Sequence, residues 1–299
     1  MNKYLVSLVF IIPLSLFALW MVFSSSGGTR VVSLLEEAEV PTVKVIKYRI
    51  EVSNPSNLLI DGPSLLVAVP TDLHRHKISN ISISSPYKKA IDEVGNTSVD
   101  IDLIRLVPYE TKLIDVTVSL DVYKRLSKNS INNTNIYTDP EKLIESNNEK
   151  LVKQASMLKA DSQLESARNT YDWVVGYLSD SGFIEEDRGA LYAFKHKKAD
   201  CTGYMYLYGA LLRANGIPAR MMSGFIVETN KKLDIKDYHN WVEVYLDGVW
   251  RVVDPQNKKF LEEESNYIAM RIINNTKTGL FDNAQQLFKT NSAITLTMK

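Results

Sequence analysis

Residues 200–218 read DCTGYMYLYGALLRANGIP, and they predict a helix that carries the only cysteine of the 299-residue chain near its start. Apolar and aromatic residues recur at helical spacing from Tyr204 to Leu212. Asn215-Gly216 is a typical helix end, and Pro218 is incompatible with further helix. Cys201 therefore lies in the first turn of the predicted helix.

This position of Cys201 matters chemically because only the thiolate form of cysteine is a strong nucleophile. The partial positive charge at a helix N-terminus favours the thiolate. Unpaired backbone N–H groups there can also bind the oxyanion that forms during acyl transfer. The position alone is equally compatible with a buried, unreactive cysteine, so the decision rests on the residues that accompany it.

Residues 238–255 read YHNWVEVYLDGVWRVVDP and predict a β-hairpin with Asp247-Gly248 as its turn. A two-residue turn pairs Leu246 with Val249. Continuing this register makes His239 and Asp254 diagonal neighbours on one face of the sheet. A slip of one residue would separate them to opposite faces. In the predicted register, Asp254 can orient the His239 ring while the other ring nitrogen faces a thiol.

The stretch 200–255 resembles the transglutaminase-like superfamily of papain-fold thiol enzymes. The family's Asp-Cys pair and its Leu-Leu-Arg-x-x-Gly-Ile-Pro-Ala-Arg helix end are matched by residues 200–220. Its His-x-Trp-x-Glu-x-Tyr pattern is matched by residues 239–245, and its Trp-x-x-x-Asp-Pro pattern by residues 250–255. One departure is that Lys198-Ala199 stands where family members often carry glycine before the Asp-Cys pair.

The resemblance implies an α+β, papain-like fold in which Cys201 is the nucleophile, His239 its base and Asp254 the residue that orients the histidine. The implied reaction is attack on an amide bond of a protein or peptide, followed by transfer of the acyl group to water or to an amine. We expect Thr202 and Trp241 near the substrate or the oxyanion. No cofactor and no metal are implied. A catalytically silent binding or scaffold module is the alternative, and metal-dependent hydrolysis is a more remote one.

The rest of the chain divides into an N-terminal anchor at 1–30, a small β-sandwich-like domain at 31–125, a linker and bridging helix at 126–160, and the catalytic domain at 161–299. Alternating apolar and polar residues predict strands at 46–52 and 114–122, and shorter apolar runs predict others at 65–69, 78–83 and 99–106. We expect a bridging helix at 141–158, a helix capped by Ser162 and Glu165, and a last strand at 294–298.

Residues 4–23 read YLVSLVFIIPLSLFALWMVF, an uncharged run that as a helix would rise about 30 Å, the thickness of a bilayer core. Lys3 precedes it, which predicts a single-pass anchor with the catalytic domain on the extracytoplasmic side. A cleaved signal peptide is the alternative, although its apolar region is usually shorter. Resemblance to bacterial exported family members, with similar accessory parts, agrees with an anchor.

The composition argues against binding to nucleic acid. Lys plus Arg and Asp plus Glu each number 35, so the formal net charge is zero, and no long basic run occurs. His74 and His76 could project together from a strand, but no acidic or cysteine cluster accompanies them. We expect both to be solvated surface residues.

Overall fold

The computed structural model describes residues 39–124, 135–274, 281, 283–290 and 292–299. The predicted membrane segment, 4–23, lies outside these residues, as do residues 126–134 of the predicted linker. Within the described ranges, no helix is both long enough and apolar enough to cross a bilayer.

The N-terminal half consists of short strands, as the alternating sequence pattern predicts. Their bounds are β1 Thr42–Ser53, β2 Ile60–Asp61, β3 Ser64–Ala68, β4 His76–Ile83, β5 Tyr87–Ile91, β6 Thr97–Asp102, β7 Arg105–Leu106 and β8 Thr111–Val122. Strands β1 and β8 pair antiparallel along their full lengths, and β4 pairs with the other edge of β8. Strands β3, β6 and β5 form a second antiparallel sheet.

These two sheets share one hydrophobic core, in which alternate residues of the long strands β1 and β8 are buried. Ile46 and Ile50 of β1 and Ile114 of β8 are buried together with Leu65 of β3 and Ile101 of β6. The period-two burial is the signature of a half-buried strand. The α+β architecture thus begins with two packed sheets.

The second half supplies the helices and a five-stranded sheet. The helices are α1 Glu149–Leu158, α2 Gln163–Tyr177, α3 Gly189–His196 and α4 Cys201–Ala214. Beyond the short pair β9 Ser179–Asp180 and β10 Lys198–Ala199, the strands are β11 Ala219–Ile226, β12 Lys231–Lys232, β13 Tyr238–Leu246, β14 Val249–Asp254, β15 Lys259–Phe260, β16 Tyr267–Ile273, β17 Phe288–Thr290 and β18 Thr295–Met298. The sheet order is β15-β14-β13-β11-β16.

Helix α4 is buried on nearly all sides, although its sequence predicts a single apolar face. Every residue from Tyr204 to Arg213 is buried. Its apolar side chains pack on those of β11 and β13, including Met221, Val242 and Val244, and on α1 and α2. A helix that is apolar all round belongs in a core. Its N-terminus, with Cys201, is therefore held rigidly at the edge of the sheet.

Strands from the two halves of the chain join the same sheets. Strand β12 pairs parallel with β1, and β18 pairs antiparallel with β1. Strand β17 pairs with β3. The predicted last strand is thus present, and it closes the sheet of the N-terminal half. Buried Phe225 and Ile268 of the second half also lie in the core of the two N-terminal sheets.

The predicted bridging helix at 141–158 was too long at its N-terminal end, since α1 begins only at Glu149. Glu141 instead forms an isolated bridge with Ile144, and its buried carboxylate accepts a 2.7 Å hydrogen bond from Arg213. Asn148 caps α1 by accepting from the Lys150 N–H. Asp139-Pro140 offers a local helix start in the sequence, but an ion pair with a residue far along the chain holds Glu141 outside the helix.

The expectation that His74 and His76 are solvated was also wrong. His76 is fully buried at the start of β4, and His74 is part-buried with its Nε2 atom 3.0 Å from the carbonyl oxygen of Trp250. Burial is the main cause that lowers the pKa of each histidine to about 4. Both side chains belong to the contact between the two halves of the chain.

Candidate active site

Cys201 is the first residue of α4, where the sequence predicts it. Asp200 is the N-cap, and its Oδ1 atom accepts a 3.1 Å hydrogen bond from the N–H of Gly203. This cap starts the helix at the cysteine. The Cys201 side chain is part-exposed, while the helix behind it is buried. The sulfur is thus accessible at the end of an immobile element.

The hairpin of β13 and β14 has the predicted register. Leu246 pairs with Val249 across Asp247 and Gly248. Both turn residues have positive φ, at 51° and 87°, as the two-residue hairpin turn requires. The register brings His239 and Asp254 together, so that the His239 Nε2 atom lies 2.7 Å from Asp254 Oδ2.

Asp254 is fully buried and held by three further donors. The Asn257 backbone N–H donates to Oδ1 at 3.2 Å, and the Asn257 side-chain amide donates to Oδ2 at 2.8 Å. The Tyr267 hydroxyl donates to Oδ2 at 3.0 Å. These contacts fix the carboxylate without a Lys or Arg side chain. Its negative charge is therefore available to the His239 ring.

The electrostatics of this pair follow from its contacts. Burial alone would lower the pKa of His239, but its hydrogen bonds to Asp254 and Cys201 outweigh burial and raise that pKa to about 10. Burial alone would raise the pKa of Asp254, but hydrogen bonds from His239 and Asn257 lower it. Because Nε2 is engaged by Asp254, the Nδ1 atom remains for Cys201. The arrangement favours transfer of the thiol proton to the His239 ring.

A second set of polar side chains lies beside the thiol. The Cys201 thiol donates to Asn240 Oδ1 at 3.3 Å, and the Thr202 hydroxyl donates to the same oxygen at 3.2 Å. Thr202 in turn accepts from Gln285 Nε2 at 3.2 Å. Thr202 therefore lies in the vicinity of the sulfur.

Trp241 is fully buried and does not line the surface by which a substrate would approach. Its ring packs edge-on against the Tyr267 ring, with centroids 5.2 Å apart. Tyr267 in turn contacts Asp254. The physical reason is that Met222, Val252 and Tyr267 cover the Trp241 ring in a small apolar cluster. Trp241 thus supports Tyr267 from behind.

No group of three or more His, Cys, Asp or Glu side chains within the described ranges is arranged to hold a metal ion.

Several contacts of the site were not predicted from the sequence. Asn257 follows Asp254 by three residues, and its position after a strand-ending Asp-Pro pair was a usable turn signal. Tyr267 and Gln285 carry no such signal because only the tertiary fold brings them near. Asn240 was visible as the neighbour of His239, but its contact with Cys201 was not.

The comparison with protein families bears on this geometry directly. Residues 150–255 match the family model of the transglutaminase-like superfamily, and this range contains Cys201, His239 and Asp254. The chain carries a transglutaminase-like domain. The recognition made from the motifs of residues 200–255 is thus confirmed. No curated protein sequence matches the chain.

Solved structures show which folds resemble the fold of this chain. A candidate cysteine protease from Cytophaga hutchinsonii superposes with a TM-score of 0.57 at 15% identity, over 86% of this chain and 91% of that chain. The periplasmic domain of TgpA from Pseudomonas aeruginosa, bound to ethylmercury, gives a TM-score of 0.31 at 15% identity, over 76% of this chain and 94% of that chain. The first likeness shows a shared fold that extends over both halves of the chain.

Proposed function

We propose that this chain is a thiol enzyme that acts on amide bonds of proteins or peptides through Cys201, His239 and Asp254. The observation that carries the proposal is the 2.7 Å contact of His239 with the buried, cation-free Asp254, next to a cysteine in the first turn of a buried helix. Each part supplies one requirement of acyl transfer: a nucleophile, a base and a group that orients the base.

In the proposed reaction, His239 takes the proton of the Cys201 thiol, and the sulfur attacks the amide carbonyl carbon. Backbone N–H groups in the first turn of α4 stabilise the oxyanion. His239 then gives its proton to the leaving amine as the C–N bond breaks, which leaves an acyl group on Cys201. Water or a second amine releases the acyl group. Asp254 stabilises the imidazolium that exists between the two proton transfers.

The full-length chain purified in detergent tests the proposal. It is incubated with dimethylated casein, with and without a fluorescent primary amine, beside the Cys201→Ala variant. We expect wild type alone to incorporate the amine, or to release ammonia or peptide fragments, and to show an acyl adduct on Cys201 by mass spectrometry. Equal results for both proteins would contradict the proposal and favour a binding module. Activity abolished by a chelator but retained after thiol alkylation would favour metal-dependent hydrolysis.

The proposal includes a membrane anchor at residues 4–23 with the catalytic domain on the extracytoplasmic side. The uncharged twenty-residue run after Lys3 supports it. A membrane-impermeant maleimide added to intact cells should label Cys201. Labelling that occurs only after the cells are lysed would contradict this orientation.

A further inference from the structure

The polar contacts on the Asn240 side of Cys201 fix the direction of each hydrogen bond. The carbonyl oxygen of Met222 can only accept, and it lies 3.4 Å from the Asn240 amide, so this contact requires the amide nitrogen Nδ2. The amide oxygen Oδ1 must then face Cys201, at 3.3 Å from the sulfur. An oxygen that only accepts hydrogen bonds stabilises a protonated thiol and repels a thiolate.

The directions of the hydrogen bonds from Gln285 to Thr202 and from Thr202 to Asn240 follow in the same way. The carbonyl oxygen of Ile184 can only accept, and it lies 3.2 Å from the Gln285 side chain, so this atom is the nitrogen Nε2. Nε2 also lies 3.4 Å from Asp200 Oδ2. Because an amide nitrogen cannot accept a hydrogen bond, the 3.2 Å contact between Nε2 and the Thr202 hydroxyl oxygen is donated by Gln285, which shares its two protons among three acceptors. The Thr202 hydroxyl is left with its own proton to give to Asn240 Oδ1 at 3.2 Å.

Gln285 comes from the C-terminal part of the chain, and the backbone around it is anchored. Arg271, which is buried, donates from Nη1 to the carbonyl oxygens of Asn283 at 2.8 Å and Gln286 at 2.7 Å. Asp187 accepts from the N–H of Ala284 at 3.0 Å. The Gln285 amide is therefore presented to Thr202 by a fixed backbone.

We propose that Asn240 stabilises the protonated form of the Cys201 thiol relative to the thiolate, and that Gln285, through Thr202, fixes the Asn240 amide in the orientation this requires. Asn240 opposes His239, which draws the proton away from sulfur. The inference rests on the proposed function, since it assigns a role only to groups around a reactive thiol. Thr202 and Gln285 are positioning residues, whereas Asn240 contacts the reacting atom itself.

Other ionisable groups around the sulfur also influence the pH dependence of its reactivity, so the test variants must leave them unchanged. His239 bonds to Cys201, and Asp200 caps the helix at its N-terminus. The pKa of Tyr238 is raised chiefly by burial and in part by Cys201, and its hydroxyl lies 2.6 Å from Ser223 Oγ. None of these groups is altered in the variants below, apart from a His239 control.

The test is the rate of iodoacetamide alkylation of Cys201 in the full-length chain from pH 5.5 to pH 9. The variants Asn240→Leu, Thr202→Val and Gln285→Leu each remove one member of the chain of hydrogen bonds while roughly keeping its shape. We expect each to react about fivefold faster than wild type at pH 6, the factor that corresponds to one hydrogen bond of ordinary strength. The rate at the alkaline plateau should be unchanged, because the sulfur is then ionised in every protein.

The matched control is Thr202→Ser, which keeps the hydroxyl and should react like wild type. A merely structural role would slow alkylation or leave its pH profile in place. Folded variants whose profiles coincide with wild type, or move to higher pH, would overturn the inference. Three variants at separate positions keep the test decisive if one of them does not fold.

The His239→Ala variant separates this inference from the proposed function. If His239→Ala slows alkylation at pH 6 but the three other variants do not accelerate it, the inference fails and the proposed function stands. If His239→Ala has no effect while the three variants accelerate alkylation, the proposed function fails and the role of Asn240 stands.

Discussion

Asp254 and Glu243 are buried carboxylates on adjacent strands of the same sheet, and they differ in the kind of partner that satisfies them. Glu243 lies between two guanidinium groups: its Oε2 atom accepts from Arg220 Nε at 2.8 Å, and its Oε1 atom accepts from Arg75 Nη1 at 3.3 Å. Asp254 accepts from His239, Tyr267 and Asn257, and only the His239 ring can gain or lose a positive charge.

The difference shows how one sheet can carry a structural charge and a chemical one. Burial alone would raise the pKa of Glu243, but Arg220 and Arg75 outweigh burial and lower it to about 2. Those two cations are permanent, so the charge of Glu243 is fully paired and serves to stabilise the fold. Because no permanent cation neutralises Asp254, its negative charge is left to stabilise the protonated form of His239. Mutations at the two sites should therefore separate activity from stability.

The largest effect is expected for Asp254→Asn, which removes the charge that stabilises the imidazolium. We expect the rate of the reaction at saturating substrate to fall about a thousandfold or more. Wild type and variant should have similar circular dichroism spectra, since the Asn257 and Tyr267 contacts can persist. A variant that retains the wild-type rate would show that Asp254 plays no part in the chemistry.

Glu243→Gln should have the opposite profile. It leaves Arg75 with only the Glu264 carboxylate, 3.6 Å away, and takes from buried Arg220 its partner. Breaking a buried ion pair by removing one partner costs about 3 kcal/mol or more. We expect that loss in the free energy of unfolding, measured by urea denaturation. The rate of Cys201 alkylation per folded molecule should remain near that of wild type. A stable Glu243→Gln variant with slow alkylation would contradict the proposal that Glu243 serves stability and Asp254 serves the chemistry.

Tyr267→Phe should have a smaller effect, since it removes one of several donors to Asp254. One hydrogen bond contributes about 1 kcal/mol, so we expect a fall of about fivefold in the enzymatic rate. Tyr48→Phe is the matched control, because the buried Tyr48 hydroxyl contacts only the Ala68 carbonyl oxygen among the described bonds, at 3.3 Å in the N-terminal sheets. Both variants can lose stability, but an equal loss of activity in both would contradict the role given to Tyr267.

The smallest expected effects are those of pH on the free energy of unfolding, and they should also distinguish the His239–Asp254 pair from Glu243. The pKa of His239 is raised in the folded state, so its stabilising contribution is fully present below about pH 6.5 and is lost as pH rises towards about 10. The difference in unfolding free energy between wild type and His239→Gln should therefore shrink over that interval.

Glu243 should show the reverse trend. Its pKa is lowered to about 2, so its contribution is fully present above about pH 4.3, the ordinary value for glutamate, and is lost as pH falls towards 2. The difference between wild type and Glu243→Gln should remain constant through the alkaline range in which the His239 difference shrinks. Urea titrations at a series of pH values measure both differences. A Glu243 difference that also shrinks above pH 7 would contradict the separate assignments.

The sequence predicts most of the chemistry on the α4 and hairpin side because those contacts are set by local rules. Asp200 as helix cap and Asp247-Gly248 as turn fix where Cys201, His239 and Asp254 lie. The hydrogen-bond and ion-pair partners of Asp254 and Glu243 are harder to predict from the sequence. Asn257 was within reach of a turn rule, whereas Tyr267 and Arg75 arrive from other elements, and only tertiary packing brings them close.

The same limit explains the errors. The start of α1 was misplaced because Glu141 pairs with Arg213, which lies 72 residues away in sequence. His76 was assigned to the surface because a strand pattern does not show which edge the second half of the chain covers. A single sequence gives periodicity and local signals, but it does not show which distant charge compensates a buried one.

The proposed function depends on activation of the Cys201 nucleophile by His239. The most direct measurement is the pH dependence of Cys201 alkylation in full-length wild type and in His239→Ala. We predict that wild-type Cys201 reacts appreciably at pH 6 to 7, well below the range in which an ordinary thiol becomes reactive, and that His239→Ala restores the reactivity of an ordinary thiol. A wild-type thiol that reacts slowly and independently of His239 would contradict the claim and direct attention to binding partners instead.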